Sequence, residues 1–374
     1  MAQEDERRAR MALACVAEPG DPEMSALVHE RGGEEVWEAV RRRGDGSVWA
    51  RRVAALELDR MVELTERCGS RFVVPGDEEW PDELTTLATA EPLADRGGVP
   101  IGLWLRGPAR LGAVASRAVA LVGSRAATSY GQGVATDLAA DLASERVAVI
   151  SGGAYGVDAA AHRGALVTGP GSTLAVLASG VDVVYPRGNA ALLEEVARRG
   201  LLVSEHPPGE HPTRVRFLGR NRLIAALSQA TVVVEATARS GARNTASWAL
   251  RCGRVLAAVP GSVHSAQSVT PHRLIAAAEA TLVTSAADVL ALLAPLDAAQ
   301  APLPARGHPR LMDDWDPVAV AVREALPARG GLGVAEISLR SGQEPAECLA
   351  ALAWLEQEEQ VVCGPRGEWR LVRP

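Results

Sequence analysis

Short, almost wholly apolar runs recur along the middle of the chain: Ala118–Val122, Val147–Ile150, Thr173–Ala178, Leu201–Ser204, Thr231–Glu235, Val255–Val259 and Thr281–Thr284. Between them lie Ala/Leu/Arg-rich stretches of helical length, namely Gly131–Ala143, Val157–Leu166, Asn189–Arg199, Arg220–Ser228, Ala242–Cys252 and Pro271–Ala278. Strands without polar alternation are strands buried on both faces, and strand-helix alternation supplies the covering layers. The pattern predicts an α/β fold, a doubly wound and mainly parallel sheet. Ligands of such sheets sit beyond the carboxyl ends of the strands.

The flanks read differently. Residues 1–90 give short amphipathic helices, including Glu34–Arg42 and Val48–Thr65, punctuated by Gly32-Gly33 and Gly44-Asp45-Gly46. The sheet domain is expected over 91–294, and the Pro/Ala/Gly-rich residues 295–313 read as a linker. Residues 314–374 then give helices over Pro317–Leu326, Val334–Ser341 and Pro345–Glu356, followed by β runs over Gln360–Cys363 and Glu368–Val372. Three helices and a hairpin in this order are expected to form a winged-helix module. Its third helix and flanks carry Glu344, Glu347, Glu356 and Glu358 and no Arg. A duplex-reading helix should be basic, so this module is expected to contact protein rather than DNA.

Composition narrows the chemistry. Of 374 residues, 47% are hydrophobic and 23% charged, the balance of a globular protein. All 39 basic residues are Arg. Without Lys there is no Walker P-loop, Schiff base or kinase-type phosphate lysine. The five cysteines stand singly, with no CxxC pair and no His at ligand spacing, which argues against a metal site or disulfide framework. The N-terminal MAQEDERRARM is no signal peptide, and no apolar run reaches membrane-spanning length. A cytoplasmic protein without cofactor is expected.

Charge is unevenly spread. Residues 1–99 hold 13 Arg and 22 acids (−9), residues 100–295 hold 18 Arg and 12 acids (+6), and residues 296–374 hold 8 Arg and 12 acids (−4). Within the basic middle, Arg214, Arg216, Arg220 and Arg222 cluster around Phe217, one of two Phe in the chain. Guanidinium groups beside an aromatic suit an unpaired nucleic-acid strand, which needs cations for its phosphates and a flat face for its bases. Gly- and Ser-rich turns follow the strands: Gly123-Ser124-Arg125, Ser151-Gly152-Gly153, Ser179-Gly180, Ser240-Gly241 and Gly261-Ser262. Such turns expose N–H groups at helix N-termini, where anions bind.

These residues resemble those of the DNA-processing protein A family (DprA, also called Smf). The likeness is carried by AVALVGSRAATSYG (118–131), ISGGAYGVDAAAHRGAL (150–166), LVSEHPPGEHPTRVRFLGRNRLIAALS (202–228) and VVVEATARSGARNTASWAL (232–250), and extends over about 69–293. The resemblance implies an extended Rossmann-like domain, preceded by a helical module of the SAM or helix-hairpin-helix kind and followed by a winged helix. It implies a non-catalytic, homodimeric recombination mediator that binds and protects incoming single-stranded DNA and loads RecA during natural transformation. It assigns DNA binding to Gly123, Ser124, Arg125, Ser151, Gly152, Gly153, Arg216, Phe217, Arg220, Asn221, Arg222, Ser240 and Gly241. Two departures stand out. Pro271 interrupts the family's usual turn in Val269–Ile275, which is therefore kept outside the site, and Leu218-Gly219 replaces a Pro, which should loosen the loop before Arg220.

The rival is a nucleotide-binding enzyme of the phosphoribohydrolase-like class. Its PGGxGTxxE signature is absent. Asp158 and His162, at i and i+4 of one helix, could pose as an acid/base pair, but are expected to be structural, as are Glu205, His206 and Glu235.

Overall fold

In the computed structural model, which describes residues 2–42, 48–294 and 315–372, each expected apolar run carries a strand. The chain divides into two compact units, Met1–Ala298 and Ala299–Pro374. The first begins with helices α1 (Ala2–Val16), α2 (Pro22–Arg31), α3 (Gly33–Arg42), α4 (Val48–Ala55) and α5 (Leu58–Arg67). The single helix expected over Val48–Thr65 is thus two, broken at Leu56-Glu57. Strands β1 (Ser70–Val73) and β2 (Leu103–Arg106), helix α6 (Leu111–Ala115) and β3 (Ala118–Val122) follow. The alternation then runs α7 (Ser129–Ser144), β4 (Ala148–Gly152), α8 (Val157–Leu166), β5 (Thr173–Val176), α9 (Ala190–Arg199) and β6 (Leu201–Ser204). It closes with α10 (Arg214–Ala226), β7 (Ala230–Val233), α11 (Gly241–Arg251), β8 (Val255–Ala258), α12 (Val269–Ala276), β9 (Thr281–Leu282) and α13 (Ala286–Leu293).

The nine strands form one sheet in the order β1-β2-β6-β5-β4-β3-β7-β8-β9. From β6 to β9 all neighbours are parallel, while β1 pairs β2 and β2 pairs β6 antiparallel. The fold is therefore mixed α/β with a mostly parallel centre. The antiparallel pair was not foreseen, and β1 lies inside the region expected to be helical. Residues 2–42 and 48–88 belong to the same compact unit as the sheet. Phe72 of β1 stacks on Trp104 of β2 at 4.5 Å, and Arg71 binds Glu79 through two hydrogen bonds of 2.8 Å.

Burial on both faces is visible within single strands. In β3, Ala118, Ala120 and Val122 pack with Leu223 and Trp248, while Val119 and Leu121 pack with Leu138 and Leu142. The period of two splits one apolar strand between two cores. The chain builds outward from β3 through β4, β5 and β6, then crosses back along α10 to place β7 on the other side of β3. Connections leaving β3 and β7 therefore diverge, which opens a crevice at their carboxyl ends.

The second unit, taken by itself, holds α14 (Pro317–Ala325), α15 (Val334–Ser341) and α16 (Pro345–Gln357), then β10 (Val361–Cys363) paired antiparallel with β11 (Trp369–Leu371). Leu332 adds an isolated bridge to Trp369. Val322, Ile337, Leu352 and Leu355 form its core. The expected linker over 295–313 and the turn Gly44-Asp45-Gly46 lie outside the described residues. Among the described residues no helix is long and apolar enough to cross a membrane.

Candidate nucleic-acid interface

The crevice between β3 and β7 is an open groove of about 750 Å³. Four segments make up most of its lining: the turn after β3 with Gly123, Ser124 and Arg125; Ala154 and Asp158 at the start of α8; the first turns of α10 from Thr213 to Ile224; and the turn after β7 with Arg239, Ser240 and Gly241. Helix α10 starts at Arg214, not at Arg220, because the Thr213 side chain caps it by accepting from the Arg216 N–H. This is a correction with consequences. Arg214 to Arg222 lie on one helix, and its periodicity decides which side chains share a face. Leu218 and Gly219, expected to loosen a loop, are interior helical residues, and bare Gly219 lies close to the Pro19 carbonyl.

The four arginines of this helix part company. Arg214 and Arg220 line the groove. Arg216 turns away, bonding Glu18 at 3.0 Å and Glu210 at 2.5 Å. Arg222 is 1% exposed, grips Glu205 with both terminal nitrogens, and donates from Nε to the Gly98 carbonyl at 3.1 Å. Arg216 and Arg222 are thus internal ties to the loops before α2, before β2 and after β6, and do not line the groove.

Arg220 forms the floor. One terminal nitrogen donates to the Val176 carbonyl, and Nε donates to Asn221 Oδ1 at 3.2 Å. Burial, only partly offset by Asp158, pulls its guanidinium down to about 10. It remains charged at neutral pH. The same burial raises the Asp158 carboxyl, with Arg220 pulling it back. Asn221 donates onward to Asn244 Oδ1 at 3.1 Å, which fixes α10 against the start of α11.

Phe217 stands half-buried above this floor. The Arg125 guanidinium carbon lies 4.5 Å from its ring centroid, that of Arg220 6.0 Å, and the Tyr185 ring 5.7 Å. Such cation–π and tilted ring contacts orient the aromatic without covering it. Arg125, Arg214 and Arg239 are exposed, and among the described residues none has a hydrogen-bonded or ion-paired carboxylate. The one acid in the lining is Asp158, beneath Arg220.

The expected Ser151-Gly152-Gly153 turn does not reach the groove lining. Ser151 is buried and donates to the Leu121 carbonyl at 2.6 Å. Gly152 lies behind Arg220 and Asp158, where a methyl group would overlap both. Gly153 gives its carbonyl to Asn189 Nδ2 at 3.0 Å. The turn is the backing of the site rather than its surface. Conversely, sequence reasoning left Arg214, Arg239, Asp158, Tyr185 and Gln267 out of the site, although all line the groove. Arg214 and Arg239 could have been found from their clusters; Tyr185 and Gln267 carry no local signal. The Val269–Ile275 segment stays outside the groove, buttressing it through Thr270, whose hydroxyl donates to the Thr237 carbonyl at 2.7 Å.

Asp158 and His162 make no acid/base pair. His162 is fully buried, with Nε2 donating to the Gly152 carbonyl at 2.8 Å and Nδ1 2.7 Å from the Thr173 hydroxyl. Burial lowers it to about 4. Glu205 is the partner of Arg222. Glu235 sits on the N-terminus of α7, accepting from the Thr128 N–H at 2.8 Å and the Thr128 hydroxyl at 2.7 Å. Among the described residues no cluster of His, Cys, Asp or Glu has metal-binding geometry.

Comparison with known proteins places the chain in a family. The family described as DNA recombination-mediator protein A matches residues 71–294. A putative DNA processing protein DprA of Mycobacterium tuberculosis is 46% identical over 372 residues, spanning 98% of this chain and 94% of the relative. The crystal structure of DNA processing protein A from Streptococcus pneumoniae superposes with a TM-score of 0.63 at 29% identity, over 76% of this chain and 97% of that one. DNA processing protein A from Helicobacter pylori, solved for its single-stranded DNA binding mode, gives 0.51 at 26% identity, over 60% of this chain and 95% of that one. With the family match, near full-length kinship and shared sheet in agreement, the chain belongs to the DNA recombination-mediator protein A family.

Proposed function

We propose that the chain is a non-catalytic recombination mediator that binds single-stranded DNA in the groove between β3 and β7. The observation that carries this reading is the free cation set. Arg125, Arg214 and Arg239 line the same open groove as the half-buried Phe217 and the buried, charged Arg220, with Arg125 over the Phe217 ring. Phosphates would meet the guanidiniums and one base would stack on Phe217. Gly123, Ser124, Ser240 and Gly241 let the backbone come close, and Asn221 holds Arg220 in place. The H. pylori relative's single-stranded DNA binding supports the choice of ligand. Two features weigh against a nucleotide-processing enzyme: His162 is sealed in, and Glu235 occupies the α7 N-terminus where a mononucleotide phosphate would sit in this fold class.

The expected result is that Arg125→Ala and Arg239→Ala each weaken binding to oligo-dT and each lower the slope of log affinity against log salt by roughly one. Phe217→Ala should weaken it by about 1–3 kcal/mol with little change in salt slope. Fluorescence anisotropy at two salt concentrations reads both. Unchanged affinity in all three variants overturns the assignment. Protection of incoming DNA, RecA loading, homodimer formation, cytoplasmic location and a part in natural transformation follow the family resemblance. Acceleration of RecA filament nucleation on single strands by the purified protein is the measurement that tests the loading step.

A further inference from the structure

All three tyrosines of the chain are exposed, and two of them lie beside the groove. Tyr185 is 45% exposed with its ring tilted against Phe217, and Tyr155 is 47% exposed. In a chain with 13 aromatics, two half-bare rings on one rim ask for a reason, because each leaves apolar surface in water.

They are held as a unit. The Tyr155 hydroxyl accepts the Gly188 N–H at 3.2 Å. Asn189, itself buried, donates from one amide nitrogen to the carbonyls of both Gly153 and Ala154, each at 3.0 Å. The 185–189 turn and the 153–155 turn are thereby pinned together. Gly156, at φ +76°, then carries the chain into α8 against the Ser124 carbonyl, where a side chain would clash. Arg187, on the same turn as Tyr185, is exposed and without an ion-pair partner among the described residues. Fixed rings beside an unpaired cation are the components of a stacking platform, and a rigid platform loses little entropy on binding.

We propose that Tyr185 and Tyr155, with Arg187, form a second stacking platform that carries a single strand onward from Phe217 and out of the groove; this inference rests on single-stranded DNA occupying the groove. Strand length is then read by the protein. An oligomer that fills only the groove uses Phe217, the four groove arginines and the groove edge of Tyr185, and a longer one adds Tyr155 and Arg187.

The test is an anisotropy titration with oligo-dT from about 4 to about 16 nucleotides. The proteins are the intact chain and its Tyr155→Ala, Tyr185→Ala, Tyr185→Phe, Arg187→Ala and Phe217→Ala variants. The intact chain should gain affinity with length. Tyr155→Ala should lose about fivefold or more on the long oligomers and nothing on the shortest, and Arg187→Ala should show the same length dependence. Tyr185→Ala, whose ring also borders the groove beside Phe217, should lose affinity on the short oligomers and more on the long ones, and Tyr185→Phe should bind as the intact chain. Equal losses at all lengths, or no loss at any, overturns the platform. If Phe217→Ala weakens the short oligomers while the tyrosine and Arg187 variants change nothing, the groove stands and only the platform falls. If the intact chain binds no oligomer, both readings fall. Should a Tyr→Ala variant lower the melting temperature, the Tyr185→Phe and Arg187→Ala results decide.

Discussion

Neighbouring arginines on one helix do opposite work. Arg222 is buried against Glu205, whereas Arg214, like Arg125 on the turn after β3, lines the open groove. Removing one partner of a buried pair strands the other charge, typically at a cost of about 3–5 kcal/mol. Arg222→Ala should therefore lower the melting temperature sharply, while Arg125→Ala leaves it nearly unchanged and affects binding alone. Calorimetry on the two variants separates the roles, and an unchanged Arg222→Ala melting curve would contradict the internal tie. Composition and local clustering pointed to all four arginines equally, since charge is legible in a sequence but the partner of each charge is not. Glu18, Glu205 and Glu210 are the residues that sort them, and two lie beyond the reach of the local pattern.

At the scale of elements, the legible part was the parallel sheet, because strands buried on both faces write themselves as unbroken apolar runs. The antiparallel strands β1 and β2 were not legible: β1 mixes Ser70 and Arg71 with Phe72 and Val73 and follows closely on a helical stretch, and β2 stands outside the strand-helix alternation. The start of α10 was missed because His211-Pro212-Thr213 reads as loop while its N-cap acts as a boundary. The turns after β4 carry the sharper lesson. The place of Gly152 in a Gly/Ser turn predicts a phosphate-facing glycine, yet its bare Cα makes room for Arg220 and Asp158 from behind. Gly152→Ala should displace the Arg220 guanidinium and weaken single-strand binding about as much as Arg220→Ala, although the glycine lies outside the groove lining. Binding equal to the intact chain would show that the floor tolerates the shift.

For the whole molecule, the two buried histidines make a linked prediction. Burial pushes His162 down to about 4, and burial with the charges of Arg216, Arg222 and Arg96 pushes His206 down to about 3, both from 6.5. Each is neutral in the folded chain and takes up a proton on unfolding below 6.5. A depressed folded value means stability is complete above 6.5 and falls as pH drops through that window, by up to about 1.4 kcal/mol per pH unit for each proton. Asp158, pushed upward from 3.8, acts in the opposite sense at the acid end. Denaturant unfolding followed from neutral pH to about 4 should show this loss; a flat profile would mean that the histidines are not held neutral.

Glu235 closes the N-terminus of α7 from within the fold. By seating its own carboxylate on the α7 N-terminus, the protein fills the berth that related architectures offer to ATP and its kin. On the reading proposed above, a free nucleotide would find only scattered guanidiniums, whereas a continuous strand would engage them together, so mononucleotides should compete poorly with oligo-dT for the groove.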